Sequence, residues 1–184
     1  MSKNNGTHPI EIAGLKRELP LFEIAPGLKI AVLNILGDTE LVEASARALD
    51  AKLQRDSYDV FVTAEAKSIP IVYALSVVTG KPYVVLRKSY KLYMGEVIMT
   101  ETLSITTGKP QTLILDEKDN ALIKGQRVIL VDDVVSTGST LEGMRTLMSK
   151  AEANIVAETA ILTEGDQVKW ESIVALGHIP LFTD

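Results

Sequence analysis

Apolar positions along the chain fall into short blocks whose spacing switches between the period of a strand and that of a helix. Residues 28–33 form a brief apolar run with Lys29 inside it. Beyond Asp38, Leu41, Val42, Ala48, Leu49 and Leu53 recur at helical spacing, and Asp38 is placed to cap that helix. Tyr58-Asp59-Val60-Phe61-Val62-Thr63 reads as a strand. Residues 69–78 read as a helix closed by Gly80, with Pro82 two residues on, and Tyr83-Val84-Val85-Leu86 as the next strand.

Between 97 and 115 the rhythm changes. Val97, Met99, Glu101, Leu103 and Ile105 alternate, Thr107-Gly108-Lys109-Pro110 interrupts, and Thr112-Leu113-Ile114-Leu115 follows, which predicts an antiparallel hairpin. Val128-Ile129-Leu130-Val131 is apolar throughout, as a strand buried on both faces must be. A helix over 139–151 and a strand over 155–162 complete the alternation. The pattern predicts an α/β fold with an open, mostly parallel central sheet flanked by helices. The first 27 residues read as an arm in which residues 10–15 dock as a helical turn, and arm and hairpin are expected to form a small accessory lobe.

At 184 residues, with 46% hydrophobic and 23% charged positions, the chain is read as one domain, an arm over 1–27 and a core over 28–184. There is no cysteine, which excludes disulfides and thiolate zinc sites. His8 and His178 are the only histidines and read as structural, so a metal site would rest on carboxylates, as magnesium allows. A formal net charge of −5 argues against nucleic acid as a partner, because phosphate backbones reward basic surfaces. The chain has neither a leader-like start nor an apolar run of membrane length, giving the expectation of a cytoplasmic protein without membrane contact.

Candidate chemistry concentrates in residues 128–140. Four aliphatics drive a strand to the sheet centre and deliver Asp132 and Asp133 at its carboxyl end, where open α/β sheets bind ligands. Ser136, Thr137, Gly138, Ser139 and Thr140 then bring hydroxyls, backbone N–H groups and one flexible glycine to the start of a helix, chemically a phosphate cradle. No Gly-Lys-Ser/Thr ending follows, so a monophosphate fits better than a nucleoside triphosphate. The plainer reading, in which Asp132 caps a turn and the hydroxyls merely favour a loop, explains either feature singly and the two together poorly.

This segment resembles the phosphoribosyl-pyrophosphate (PRPP) signature of type I phosphoribosyltransferases: four aliphatics, two acids, two aliphatics, then a Thr-Gly-centred hydroxyl loop. Thr63-Ala64-Glu65-Ala66-Lys67-Ser68 is similar to the family's pyrophosphate loop. Arg87-Lys88-Ser89-Tyr90-Lys91-Leu92 resembles the Arg-Lys-x-x-Lys-Leu run of adenine phosphoribosyltransferases. The resemblance spans roughly residues 28 to 165, with the three motifs in family order.

The resemblance implies a purine phosphoribosyltransferase that uses PRPP, magnesium and a free base, with adenine ahead of xanthine or another 6-oxopurine, and a homodimer. It assigns Asp132 and Asp133 to catalysis and, directly or through water, to magnesium. It assigns Val135, Ser136, Thr137, Gly138, Ser139 and Thr140 to the 5′-phosphate, and Ala64, Glu65, Ala66, Lys67, Ser68, Arg87, Lys88 and Lys91 to pyrophosphate. Thr106, Thr107 and Gly108 correspond to the flexible loop, where adenine enzymes carry Glu-Tyr before the glycine. Leu28, Lys29 and Ile30 correspond to the base hood, where adenine enzymes carry Phe-Arg-Asp. Xanthine enzymes carry a base-contacting lysine near 162–166, from which Lys169 is displaced. Two other classes stay open: a non-catalytic PRPP-binding regulator acting with a partner protein, and an unrelated metal-dependent phosphate hydrolase.

Overall fold

The computed structural model describes residues 6–103 and 110–183. Among the described residues the strands form a five-stranded sheet, a four-stranded sheet and a hairpin. The five-stranded sheet holds β4 (Val60–Ala64), β5 (Tyr83–Leu86), β8 (Arg127–Val135), β9 (Asn154–Glu164) and β10 (Val174–Ile179), in the order β10-β9-β8-β4-β5 and all parallel. Every residue of β4 is buried, as is the run 128–131 of β8, so helices must cover both faces. The core thus adopts the α/β architecture that the alternation predicts.

The start of α1 and the end of α2 each follow from a local signal. In α1 (Thr39–Asp50) the Asp38 carboxylate accepts from the Leu41 N–H at 3.1 Å, and Leu41, Val42, Ala46 and Leu49 are buried. The inward alanine is Ala46 rather than Ala48, a shift of half a turn. α2 (Ile69–Thr79) ends on Gly80 at φ 72°, the left-handed stop. α1 and α2 pack together with Phe61, Ile129 and Ile161 in one core. α4 (Ser139–Lys150), which follows the short α3 (Glu117–Ile123), buries Leu141, Met144, Leu147 and Met148 against Val62, Leu130 and Ala160 in a second. Each fully buried Leu, Ile or Phe stabilises the fold by about 1.5–3 kcal/mol before entropy is subtracted.

Two expectations are corrected. Residues 10–15 do not form a helical turn: β1 (Thr7–Ile12) and β2 (Leu15–Ala25) form an antiparallel hairpin, Ile12 opposite Leu15. The two linking residues, Ala13 at φ 51° and Gly14 at φ 80°, both have the positive φ of a primed two-residue turn, and the outward–inward alternation along β1 has a period of two. The arm and the second hairpin also do not share a lobe. β1 and β2 pair through β3 (Leu28–Ala31) with the C-terminal β11 (Phe182–Thr183). The hairpin β6 (Ile98–Leu103) and β7 (Pro110–Leu115) instead lies on α4, where Lys150 donates to the Met99 carbonyl at 2.8 Å. β10 and β11 lie beyond the last element that periodicity predicts, because Gly177 and His178 interrupt the apolar run. No helix among the described residues is long and apolar enough to cross a membrane.

Candidate active site

The sheet order sets the place. From β4 the chain moves outward to β5, whereas from β8 it moves the other way to β9 and β10, so the order reverses between β4 and β8. A crevice opens at the carboxyl ends of the strands at such a switch point. Residues 64–68, after β4, and residues 132–140, at the end of β8, both arrive there. Thr63 ties the two strands just below by donating to the Val131 carbonyl at 2.7 Å.

Asp132 and Asp133 are the centre of a polar junction. The Ser68 hydroxyl lies 2.8 Å from Asp132 Oδ1 and 3.2 Å from Asp133 Oδ1, the Asp133 N–H donates to Asp132 Oδ1 at 2.9 Å, and Lys67 Nζ is 2.9 Å from Asp133 Oδ2. Two carboxylates this close repel. Burial pushes the Asp132 carboxyl above the usual range, the charge of Asp133 pushes it further, and the Ser68 hydroxyl partly offsets both. Around the junction is a cavity of about 180 Å³ lined by residues 64–68, Lys88, Asp132, Asp133, Val134 and Thr140.

Of the basic run after β5, Lys88 lines this cavity, whereas Arg87 is turned to Glu65. Glu65 pairs with the Arg87 guanidinium and accepts from the Lys88 N–H at 2.8 Å. These contacts outweigh burial and hold its carboxyl below the usual range. Arg87 also exchanges two backbone bonds of 2.8 Å with Ile114, which fastens the end of β5 to β7. Lys91 is exposed and outside the cavity lining.

A second cavity, about 170 Å³, adjoins the first through Asp132, Val134 and Thr140 and is lined by Gln111 and residues 135–141. Its chemistry is different. Gly138 adopts φ 85° as the residue before α4 and has no side chain to cap the helix, whose first amide, that of Ser139, makes only a long bond of 3.4 Å to Thr137 Oγ1 at the cavity wall. The hydroxyls of Thr137 and Ser139 lie 3.2 Å apart. Among the described residues, no acid or base lines this pocket except Asp132.

Sequence reasoning missed what stands behind that loop. Lys169 donates to the Thr137 carbonyl at 3.1 Å, and Trp170 is buried against Gly138. Neither neighbour is legible from the linear sequence, since 32 residues separate Lys169 from Thr137. Glu164, at the end of β9, is buried, which raises its carboxyl, with the Ser136 hydroxyl and His178 acting in the opposite sense. His178 meets Thr163 at 2.9 Å and the Gly165 carbonyl at 3.1 Å, and His8 packs edge-on to Phe182, so both histidines have structural partners. Leu28, Lys29 and Ile30 form most of β3, with Lys29 opposite Phe182. Thr106, Thr107 and Gly108 lie outside the described residues.

Residues 33–172 match the phosphoribosyl transferase domain family. The hypoxanthine/guanine phosphoribosyltransferase of Methanococcus voltae is 36% identical over 143 residues, 78% of this chain and 69% of that one. The purine biosynthesis transcriptional repressor PurR of Bacillus subtilis is 28% identical over 145 residues, half of that protein's length. The crystal structure of adenine phosphoribosyltransferase from Thermoanaerobacter pseudethanolicus superposes with a TM-score of 0.67 over 94% of this chain and 95% of its own, at 21% identity, and so shares the fold.

Proposed function

The chain belongs to the type I phosphoribosyltransferase family, and from that premise we propose that it transfers the 5-phosphoribosyl group of PRPP to a free purine base, releasing the nucleoside monophosphate and diphosphate. The observation that carries this reading is the junction of Lys67, Ser68, Asp132 and Asp133 beside the backbone amides and hydroxyls of the 136–140 loop. The loop takes the 5′-phosphate, residues 64–68 with Lys88 take the diphosphate, and the ribose hydroxyls meet Asp132 and Asp133 between them.

Two carboxylates are too few to cage a metal, and no cluster of three or more ligating acids or histidines occurs among the described residues. That donor set suits magnesium, which accepts one or two carboxylates completed by water and substrate oxygens. Asp132 and Asp133 would hold the ion, which supplies positive charge against the departing diphosphate.

In the transfer a ring nitrogen of the base bonds to the anomeric carbon while the carbon–oxygen bond to diphosphate breaks and its electron pair leaves with diphosphate, and the imidazole-ring proton of the base passes to a diphosphate oxygen or to water. Lys67 and Lys88 stand where that charge grows, and no protein nucleophile is needed. Holding base, sugar and leaving group in line contributes up to roughly 7–11 kcal/mol, more than any single contact here.

The run over residues 87–92 supports adenine as the base. A second reading, a 6-oxopurine, is favoured by the archaeal relative, which is named for hypoxanthine and guanine. Diphosphate release from PRPP measured with adenine, hypoxanthine, guanine and xanthine in parallel separates the two. Tight PRPP binding with no turnover of any purine would overturn catalysis in favour of a regulatory role. A homodimer belongs to the same proposal, supported by an apolar groove of about 470 Å³ between α1 and α2 where Tyr73 and Val77 are exposed. Sedimentation of the free protein tests it.

A further inference from the structure

The 136–140 loop is a thin wall between two cavities. Thr137, Gly138 and Ser139 line the pocket of about 170 Å³ on its inner side, and the same three residues line a larger one of about 450 Å³ behind it. The outer cavity contains Lys169 and Trp170, from the single helical turn Val168–Trp170 that follows β9.

Two contacts made from that turn constrain the loop. Lys169 Nζ donates to the Thr137 carbonyl at 3.1 Å from the outer side. The peptide plane of Thr137 and Gly138 is rigid, and in the trans form its carbonyl and N–H point in opposite directions. Drawing the carbonyl outward therefore turns the Gly138 N–H toward the inner pocket. Trp170 supports the same place by shape: a side chain at Gly138 would put its first carbon 2.5 Å from the indole ring. The ring is held by its own Nε1–H, which donates to the Glu164 carbonyl at 3.0 Å, and by the Lys169 ammonium 4.3 Å from its centroid. The ammonium is thus anchored over an aromatic face and stays one loop thickness from the inner pocket.

We propose that Lys169 and Trp170 are positioning residues for the 5′-phosphate of the donor, acting through the backbone of the loop and touching no substrate atom. Lys169 sets the Thr137–Gly138 peptide with its N–H inward and adds positive charge behind the cradle. Trp170 blocks any rearrangement of Gly138. The inference rests on the reading of residues 136–140 as the 5′-phosphate cradle. It differs from the reading in which Lys169 serves the base, because its ammonium lies on the outer side of the loop, on the Thr137 carbonyl and the Trp170 ring.

The test uses the whole chain and two probes titrated by calorimetry, ribose 5-phosphate for the cradle and pyrophosphate for the other half of the site. Lys169 is exposed, so Lys169→Met leaves the core intact. The variant is expected to bind ribose 5-phosphate about three- to tenfold more weakly, the scale of one charge-assisted hydrogen bond near solvent. Pyrophosphate affinity should stay within about twofold, and Lys169→Arg, which keeps both donor and charge, should restore ribose 5-phosphate binding. In turnover the change should appear in the KM for PRPP, with the KM for the base unmoved. Unchanged ribose 5-phosphate affinity, equal weakening of both probes, or a raised KM for the base would overturn the inference while leaving the site reading in place. Wild-type protein that binds neither probe nor PRPP would overturn the site reading and this inference with it.

Discussion

The two halves of the site are built on opposite plans. The 136–140 side uses neutral hydroxyls and the backbone amides of a helix start, with Lys169 and Trp170 held behind it. The 64–68 side uses charges that already satisfy one another: Lys67 with Asp133, Arg87 with Glu65, Ser68 with both acids. A ligand entering the first half competes only with neutral local bonds, the Ser139 N–H to Thr137 Oγ1 at 3.4 Å and the Thr137–Ser139 hydroxyl contact at 3.2 Å. A ligand entering the second must exchange those internal pairs for its own oxygens. The first plan yields a rigid docking point and the second a region whose charges redistribute when the anion binds.

The sharpest way to break this contrast is to remove charge from the junction. Asp132→Asn together with Asp133→Asn should lower kcat/KM by roughly 10²-fold or more while circular dichroism stays native, a loss on the scale of a deleted transition-state contact. Wild-type turnover in the double variant would take both acids out of the reaction.

On the cradle side the corresponding change acts on shape. Gly138→Val places a β-branched side chain at φ 85° and against Trp170, which should cost about 1–3 kcal/mol for the backbone alone. Its ribose 5-phosphate affinity should fall at least about tenfold. A variant with native urea midpoint and native affinity would show that the loop is not preset.

The junction should also leave a pH signature in the free protein. Because folding raises the Asp132 pKa, the folded chain holds that proton to higher pH than the unfolded chain. The resulting stability is complete below the unfolded value of about 4 and is lost as pH rises through the raised folded value. Asp132→Asn cannot ionise, so relative to this variant the wild type should lose stability over that range, by up to about 4 kcal/mol for a carboxyl raised to about 7. Urea midpoints measured at a series of pH values check it, and a constant difference would refute it.

The smallest effect concerns Glu65. Glu65→Gln keeps an acceptor for the Lys88 N–H and loses the charge that engages Arg87, so stability should change by no more than about 1 kcal/mol. Released from its partner, Arg87 should strengthen pyrophosphate binding a few-fold. Weaker binding would mean that the pair shapes the loop instead of sequestering the cation.

How much of this could be read in advance follows from the range of the forces involved. The strand over 128–131, the Asp38 cap, the Gly80 stop and the linkage of twin acids to a hydroxyl loop are local, because periodicity, capping and turn chemistry act over a few residues. Local pattern also misled. Residues 10–15 carry both a helical and a period-two reading, and pairing with β2 and β3 chose the strand. The arrangement of charge was not legible either: Arg87, Lys88 and Lys91 look alike in sequence, yet only Lys88 reaches the cavity lining, while Arg87 folds onto Glu65.

By itself, then, the order of residues determined the α/β alternation and the identity of the groups that meet at the carboxyl ends of β4 and β8, since each depends on neighbours a few positions away. Only the tertiary structure decided which cations face the crevice, that Lys67 and Ser68 close on Asp132 and Asp133, and that Lys169 and Trp170 brace the loop from behind. Those contacts join residues 32 to 66 positions apart, and their geometry comes from strand register and helix packing, which no local pattern encodes.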